Sequence, residues 1–391
     1  MLALGRSLLA RGHSVTLAGP PDFAGDAARA GVEFRGMGRS MEGFLVRNSA
    51  AFHGNVLRLA RAIKRDVDRE VDAQFELLTG LAAEADRVVG ASLAFAVPSC
   101  AEHAGRPYRF LAFAPDSFPS RYHPALGIGR QNLPIFVNRL SWWMARRLDN
   151  WLLRASINRG RVKLGLPAID DVLDHFANPG CSLLATDAEL APAPSDVHVL
   201  AEPTGAMLYD EGEPLPEAVE SFLAAGPPPI YIGFGSMPDA CPDETRLIVA
   251  EALRLVGCRA IVYAGAGAAV PTKPRADLLT VGRLSHGKLF PRVAVAVHHG
   301  GAGTCSRAAR AGIPQVILPH VLDQFSWAAR LERRGLAPRP LFRRNLTSKA
   351  LAGRIRQALE NTDMREAAVK LALALAGRDG AGRAAAILSA G

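Results

Sequence analysis

Short apolar runs alternate with longer amphipathic stretches along the first half of the chain. Strand-like runs occupy residues 15–18, 87–90, 109–114, 182–186 and 197–200. Residues 24–30 and 56–81 instead show the apolar spacing of helices. Strands that alternate with helices in this way indicate a parallel sheet covered by helices on both faces.

The alternation stops at residues 202–229, which are rich in proline, glycine and acids, and then begins again. The second half has predicted strands near Ile230, Ile261, Leu279, Val295 and Val316. We therefore predict an α/β fold with two doubly wound, Rossmann-like domains that face a cleft. The predicted boundaries are a first domain at 1–205, a linker at 206–228 and a second domain at 229–391, with the last helix packing back on the first domain.

Size and composition narrow the class of protein. A chain of 391 residues can form two domains with separate cores, and it has no apolar run long enough to span a bilayer. Its five cysteines are scattered without a CxxC pair and no signal peptide is visible, so we expect reduced thiols and a cytoplasmic location. The net charge of +9 comes without any nucleic-acid-binding motif. We expect no nucleic-acid partner, and a basic balance suits a nucleotide diphosphate or an anionic lipid surface.

A glycine-rich turn follows a buried strand in the second half. The apolar run 293–297 leads into the turn 298–304, whose sequence is His-His-Gly-Gly-Ala-Gly-Thr, and residues 305–311 are predicted to be helical. Such a turn directs backbone N–H groups and the positive end of a helix dipole at an anion. Thr304 could add a hydroxyl or cap the helix. The pattern therefore predicts a phosphate site, although the glycines would also permit a tight turn alone.

The next predicted strand ends in a loop that presents a carboxylate beside a carboxamide. Asp323 and Gln324 follow Pro319 in this loop, and a solvated helix start is the alternative interpretation. A carboxylate and a carboxamide can together hydrogen-bond several adjacent hydroxyls, which is what a sugar offers. Two consecutive loops thus predict a nucleotide-sugar site.

Other nucleotide and hydrolase motifs are excluded. Gly265-Ala266-Gly267 follows a strand, but Pro271 and Pro274 prevent the helix that an NAD-binding fingerprint requires. Residues 233–236 lack the GxSxG order of a hydrolase, and neither Walker A nor HExxH occurs. His298 and His299 are adjacent at a strand end and point to opposite sides, which argues against a shared metal.

The glycine turn and the loop 319–324, at this spacing, resemble the family-1 glycosyltransferases of the bacterial natural-product and sterol glucosyltransferase branch. Residues 2–16, 229–237 and 286–293 resemble other segments of the same family, so the likeness covers nearly the whole chain. The resemblance implies the GT-B arrangement of two Rossmann-like domains.

The resemblance also implies roles for individual residues. Asp323 and Gln324 would bind the sugar, and Arg283, Leu284 and Ser285 would lie near the nucleobase. Ser306 stands near the position where plant relatives carry a ribose-binding glutamate, so ribose recognition departs from the plant pattern. His299 is expected to be a packing residue. The residues implied at the nucleotide phosphates are Gly235, Ser236, His298, Gly300, Gly301, Ala302, Gly303 and Thr304.

The implied reaction is an inverting transfer of a hexose from a UDP- or dTDP-sugar to a hydroxyl of an apolar acceptor, such as a sterol, a lipid or a polyketide-like product. No metal and no further cofactor are implied. A second hypothesis is a truncated or degenerate, non-catalytic homologue that binds nucleotide or partners another transferase. A sugar-nucleotide epimerase is disfavoured by the loop 319–324.

The start of the chain departs from the family pattern. Relatives begin with a strand and a Gly-Asp loop that supplies the general base, and residues 1–5 match the segment directly after that loop. We therefore expect the first, central strand of the N-terminal sheet and the base to be missing here, which places the activity of this chain in doubt. Asp116 and His123 lie on a strand-end loop and are the remaining candidates for the base, or they shape the acceptor pocket.

The stretch 130–163 combines many arginines with Trp142, Trp143 and Trp151 and contains one acid, Asp149. Our first interpretation is a core helix with a solvated basic face. The second is a helix that lies on a membrane surface and helps to reach a lipid acceptor.

Overall fold

The computed structural model describes residues 1–40, 56–91, 93–177, 182–197, 201–209, 212–235, 242–263 and 276–390. Within these ranges every strand pairing is parallel, and the successive strands are connected by helices or loops. The strands fall into two groups, one in each half of the chain. The predicted α/β fold class is confirmed.

The first half supplies the N-terminal domain. Its strands are β1 (Thr16–Gly19), β2 (Glu33–Gly36), β3 (Val88–Ala91), β4 (Tyr108–Ala112), β5 (Ser182–Leu184) and β6 (Ala201–Pro203). Its helices are α1 (Leu2–Leu9), α2 (Ala24–Arg29), α3 (Val56–Glu84), α4 (Val97–His103), α5 (Ile135–Asp149), α6 (Ala155–Lys163) and α7 (Val172–Phe176). A π-helical turn, Asn150–Arg154, joins α5 to α6 without a break.

The strands of this domain form two separate sheets. β1 pairs only with β2, while β3, β4, β5 and β6 form a four-stranded sheet in that order. In the described part of the domain no strand connects the two sheets. The predicted strand at 197–200 lies largely outside the described residues, and β6 begins directly after it.

The C-terminal domain is built on one five-stranded sheet in the order β11-β10-β7-β8-β9. Its strands are β7 (Ile230–Gly233), β8 (Ala260–Tyr263), β9 (Leu278–Val281), β10 (Val295–His298) and β11 (Gln315–Ile317). Its helices are α8 (Glu217–Ala224), α9 (Pro242–Val256), α10 (His286–Leu289), α11 (Ala302–Arg310), α12 (Gln324–Arg333), α13 (Ser348–Glu360) and α14 (Thr362–Leu375). All five predicted strands of this half are present.

Both faces of this sheet are covered, because alternate residues of its strands enter different apolar clusters. Val295 and Val297 pack on one side with α9 and α13, and Ala296 packs on the other with Phe290 and Ile313. β10 is fully buried and is flanked by β7 and β11. Its carboxyl end therefore holds the glycine turn in a fixed place.

The predicted linker 206–228 is not merely a connection. It contains helix α8, whose residues Val219 and Leu223 pack with Tyr231 and Ile261 of the second sheet, as does Leu215 just before the helix. Proline and acids in the segment suggested a loop, but its apolar residues follow helical spacing. Helix α8 thus packs with the C-terminal sheet, within the segment predicted as a linker.

The last helix, α15 (Gly380–Ala390), packs on the N-terminal domain. Its residues Ala384, Ala385 and Leu388 lie in one apolar cluster with Leu4 of α1 and Leu111 of β4. His13 and Ser389 also share a 2.7 Å side-chain hydrogen bond. The chain consequently crosses between the domains twice.

Three ion pairs between the domains share one arrangement of charge, with the acid in the N-terminal domain and the arginine in the C-terminal domain. The N-terminal domain contributes aspartates and the C-terminal domain arginines in the pairs Asp26–Arg283 (2.7 Å), Asp116–Arg330 (2.5 Å) and Asp187–Arg310 (3.0 Å). The side chain of Asp187 is fully buried, and that of Asp116 is 3% exposed. Ala114 and Leu190 also enter an apolar cluster with Trp327 and Leu331 of α12. The domains therefore meet through a packed, charge-matched contact.

The first interpretation of the stretch 130–163 is wrong in one respect. Trp142 and Leu153 face the core, but Phe136, Trp143 and Trp151 on the opposite side of the helix are exposed. The outer face is thus apolar as well as basic, because the periodicity alone did not decide which apolar face turns inward.

We expect the contact of α15 with the N-terminal domain to be sensitive to a single methyl group. A Cβ at Gly380 would lie 2.3 Å from the carbonyl oxygen of Gly205, so Gly380→Ala should destabilise the protein by about 1–3 kcal/mol. Gly353→Ala in α13 is the control, since a Cβ there meets nothing within 4 Å and alanine favours a helix by about 0.5–1 kcal/mol. Thermal melts of the two variants should move in opposite directions; equal melts would contradict the tight contact.

Candidate active site

The glycine turn places a helix N-terminus at the carboxyl end of β10. Gly300 adopts a φ of +93°, which only glycine takes up without strain, and Gly301 is the N-cap of α11. Since this N-cap has no side chain, the N–H groups of the first turn are left for another acceptor. A Cβ at Gly303 would meet nothing within 4 Å, so the outer side of this turn is open. The predicted capping role of Thr304 is wrong, because the N-cap lies three residues earlier.

His298 is turned into the protein rather than toward this opening, contrary to the prediction. Its ring is fully buried, its Nδ1 accepts from the N–H of Gly300 at 3.1 Å, and its Nε2 donates to Oε1 of Gln315 at 2.9 Å. Burial lowers the pKa of His298 to about 3, so the imidazole is neutral and both of its nitrogens are used internally. Its role in this structure is to hold the turn in shape.

His299 takes the other position. The ring is only partly buried and lies against both Gly235 and Gly301, where added Cβ atoms would approach it to 3.1 and 2.6 Å. Burial lowers the pKa of His299 to about 4, and its Nδ1 is buried without a hydrogen-bond partner in the described residues. His299, which we expected to be a packing residue, is therefore the histidine whose ring lies at the glycine turn. Strand alternation predicted that the two rings diverge, but not which one faces outward.

Gly235 brings the end of β7 to the same place. It has a φ of +65°, and its backbone lies directly beside the ring of His299. Ser236, the other residue predicted there, lies outside the described residues. The carboxyl ends of β7 and β10 thus meet around His299.

The loop before α12 packs directly on the glycine turn. A Cβ at Gly300 would lie 3.2 Å from the backbone oxygen of Gln324, so no larger residue fits between them. Asp323 accepts a 3.2 Å hydrogen bond from Nε1 of Trp327, whose side chain is buried. Burial, and then the nearby carboxylate of Asp116, raise the pKa of Asp323 to about 6. Near neutral pH Asp323 is therefore a carboxylate at the edge of the interdomain contact.

The side chain of Gln324 forms hydrogen bonds with its own loop. Its Oε1 accepts hydrogen bonds from the N–H groups of His320 at 2.8 Å and Val321 at 3.2 Å. Leu322, between them and Asp323, has a φ of +51°, an uncommon conformation for a residue other than glycine. The carboxamide thus holds a strained loop that positions Asp323, which is a structural part that the sequence pattern did not reveal.

Of the three residues predicted near the nucleobase, Arg283 lies at the contact between the domains. Arg283 donates to Asp26 of α2 at 2.7 Å, and Leu284 packs on the apolar cluster below the sheet. Ser285 is the N-cap of α10. The guanidinium of Arg283 is thus engaged with the N-terminal domain.

Asp116 and His123 are buried at another domain contact, the one between Asp116 and Arg330. Asp116 pairs with Arg330 through one oxygen, and its other oxygen Oδ2 has no partner in the described residues. His123 bonds the carbonyl of Pro124 through Nδ1 at 3.1 Å, while its buried Nε2 has no described partner. Burial lowers the pKa of His123, so the ring is neutral. Both side chains are buried in this structure, and their roles as the base or as residues that shape the acceptor pocket stay predictions.

Groups of three or more potential metal ligands do not occur in the described residues. No described helix is long and apolar enough to cross a bilayer.

Two Rossmann-like domains with a glycine turn and an acidic loop at their contact define a GT-B protein. Residues 267–380 match the family described as erythromycin biosynthesis protein CIII-like, C-terminal domain. The chain is 33% identical to glycosyltransferase GtfE of Amycolatopsis orientalis over 354 residues, which cover 88% of this chain and 84% of that relative. It is 31% identical to the O-mycaminosyltylonolide 6-deoxyallosyltransferase of Streptomyces fradiae over 396 residues, covering 97% and 91%.

A solved structure, the glycotransferase of kitacinnamycin, matches with a TM-score of 0.74 at 18% identity over 99% of this chain and 94% of that one. The structural likeness supports the fold, and the sequence relatives identify the family. The protein belongs to the family-1 glycosyltransferases of the bacterial natural-product type.

The two histidines should respond differently to removal. His298→Ala leaves the N–H of Gly300 and Oε1 of Gln315 buried without their partner, so we expect a loss of about 2–4 kcal/mol in unfolding free energy. His299→Ala removes a partly exposed ring that lacks such bonds and should cost under about 1 kcal/mol. Denaturant titrations of both variants check this; the reverse order would show that His299 maintains the turn.

Proposed function

We propose that this glycosyltransferase moves a hexose from a UDP- or dTDP-sugar to a hydroxyl of an apolar acceptor, with inversion at the anomeric carbon. The observation that carries the proposal is the uncapped N-terminus of α11, open at Gly303 and packed against the loop that holds Asp323. Relatives named as transferases of glucose, deoxyallose and other sugars support it.

The diphosphate of the donor is assigned to the glycine turn. Backbone N–H groups of residues 302–304 and the positive end of the helix dipole would stabilise its negative charge as it departs. His299 is the side chain best placed to add a hydrogen bond, since its ring lies between Gly235 and Gly301. No metal is expected in this scheme, because the helix dipole supplies positive charge, and the N–H groups of the helix and the neutral imidazole supply hydrogen bonds.

The sugar is assigned to Asp323. The carboxylate offers several acceptor positions to adjacent hydroxyls, and Gln324 fixes the loop that presents it. The acceptor would enter from the N-terminal domain, beside the loop that carries Asp116 and His123. Direct displacement requires a base to remove the acceptor proton.

We expect Gly303→Val to abolish binding of UDP and dTDP. The open side of the turn can accept the larger side chain without a clash, but a β-branched residue would occupy the space through which a phosphate approaches. Gly353→Val in α13 is the matched control, since it makes the same change on a helix away from the turn. Calorimetry with each nucleotide measures the effect, and unchanged affinity in a folded Gly303→Val protein would rule out this phosphate site.

We expect Asp323→Ala to weaken nucleotide-sugar binding by about tenfold to a hundredfold, the worth of a hydrogen bond to a charged group, with little change for free nucleotide. Binding of the nucleotide sugar should also weaken as the pH falls through about 6, because the carboxylate then takes up a proton. Equal losses for nucleotide and nucleotide sugar would show instead that Asp323 only shapes the loop.

Transfer itself is tested by mass spectrometry of reactions with UDP- and dTDP-sugars and a panel of apolar alcohols, with and without EDTA. The 391-residue chain and a chain extended by any in-frame upstream codons are compared. A product of inverted anomeric configuration supports the proposal. Nucleotide binding without transfer by either chain would favour the non-catalytic homologue.

A further inference from the structure

Six large apolar side chains lie exposed along one side of the long helix 135–163. They are 48–71% exposed and form the outer stripe: Phe136, Leu140, Trp143, Met144, Leu148 and Trp151. Single exposed apolar residues are ordinary on a protein surface, but a contiguous row of this kind marks a contact site. The donor site does not use any of them.

The stripe follows the helix geometry. Phe136, Leu140, Trp143, Arg147 and Trp151 recur at intervals of three or four residues, so they form one continuous row. The opposite side, with Asn138, Ser141 and Trp142, is buried against the domain. The helix is thus amphipathic only in part, since it is apolar on both faces. Several of its cations lie on the outer face, while Arg161 is buried and pairs with Glu102.

Charge distinguishes the occupants that this face could accept. Arg139, Arg147 and Arg154 are exposed on or beside the stripe, and the one acid of the helix, Asp149, lies toward the domain. The guanidinium of Arg147 also stacks over Trp143 at 5.1 Å. None of the ion pairs between described residues of the N-terminal domain involves these three arginines. The outer face of the helix therefore has apolar and cationic groups. The exposed carboxylate of Asp174, on the neighbouring helix α7, is paired with Arg146.

We propose that the outer stripe binds the surface of an anionic lipid bilayer. Phenylalanine, leucine and tryptophan would enter the boundary between headgroups and acyl chains, and the arginines would pair with lipid phosphates. A second copy of the chain fits less well, because a two-fold contact would bring like charges of the same arginines together. The proposal concerns binding alone and does not depend on the proposed transfer reaction.

The inner side of the helix connects this surface to the cleft. Trp142 donates through Nε1 to the carbonyl of His123 at 3.1 Å, and Asn138 donates to the carbonyl of Arg121 at 2.9 Å. The same loop begins with Asp116, which reaches Arg330 of the C-terminal domain. A bilayer on the outer stripe would thus lie one helix thickness from the loop that borders the cleft.

The test is flotation of the full chain with phosphatidylcholine vesicles, with and without phosphatidylglycerol. We expect binding that requires phosphatidylglycerol and falls at high salt. Phe136→Ser with Trp143→Ser should reduce the partition at least about tenfold. Arg139→Gln with Arg147→Gln should reduce it by roughly fivefold per cation.

The control is Leu247→Ser with Leu373→Ser, which removes two side chains that are 66% and 73% exposed on other helices. It should bind vesicles like the unchanged protein. Tryptophan fluorescence gives an independent readout, since Trp143 and Trp151 are exposed and Trp142 and Trp327 are buried. Vesicles should shift the emission to the blue, and Trp143→Phe should diminish that shift.

Three results would overturn the proposal. These are no binding to phosphatidylglycerol vesicles, binding that the stripe variants leave unchanged, and a dimer in sedimentation that the stripe variants disrupt. The third would assign the face to a second copy. Thermal melts of all variants confirm that the exposed substitutions leave the fold intact.

Discussion

The arrangement of the two domains depends on ion pairs between carboxylates and guanidinium groups that are buried at their contact. Asp187 is fully buried and receives both Arg310 and the N–H of Ala206, while Asp116 meets Arg330 with little exposure. A buried carboxylate that loses its partner is strongly destabilising, so each pair tolerates little separation. All three aspartates come from one domain and all three arginines from the other, which gives the contact one allowed orientation. The glycine turn and the loop of Asp323 are correctly placed only within that orientation.

Inside the C-terminal domain, hydrogen bonds between neutral groups likewise satisfy polar atoms and fix the local geometry. His298 satisfies the N–H of Gly300 and Oε1 of Gln315, and Gln324 satisfies two N–H groups of its loop. These bonds shape the turn and the loop before any ligand arrives, so less conformational entropy remains to be lost on binding. His298 and Gln324, which the motifs assign to ligands, thus form hydrogen bonds that stabilise the turn and the loop themselves.

The sequence predicted the second sheet well, because its strands are short apolar runs buried on both faces. It also located the glycine turn and the acidic loop, whose chemistry depends on residue type and spacing. It could not assign His298 and His299 to their sides, since alternation fixes only that they differ. Helix α8 was missed because prolines flank it and it contains two glutamates, and the outer stripe was missed because both faces of its helix are apolar. The failures at the two histidines and at the outer stripe concern direction in space, which one-dimensional periodicity does not contain.

The return of α15 to the N-terminal domain has a consequence for how the chain can be divided. Gly205, where the chain leaves that domain, touches Gly380, where it comes back. The C-terminal domain is therefore an insertion whose two ends lie side by side. Exchange of donor domains between relatives should accordingly be made at these two glycines, with α15 kept beside α1. A single junction in the segment between the domains would instead pair a foreign last helix with the native first one.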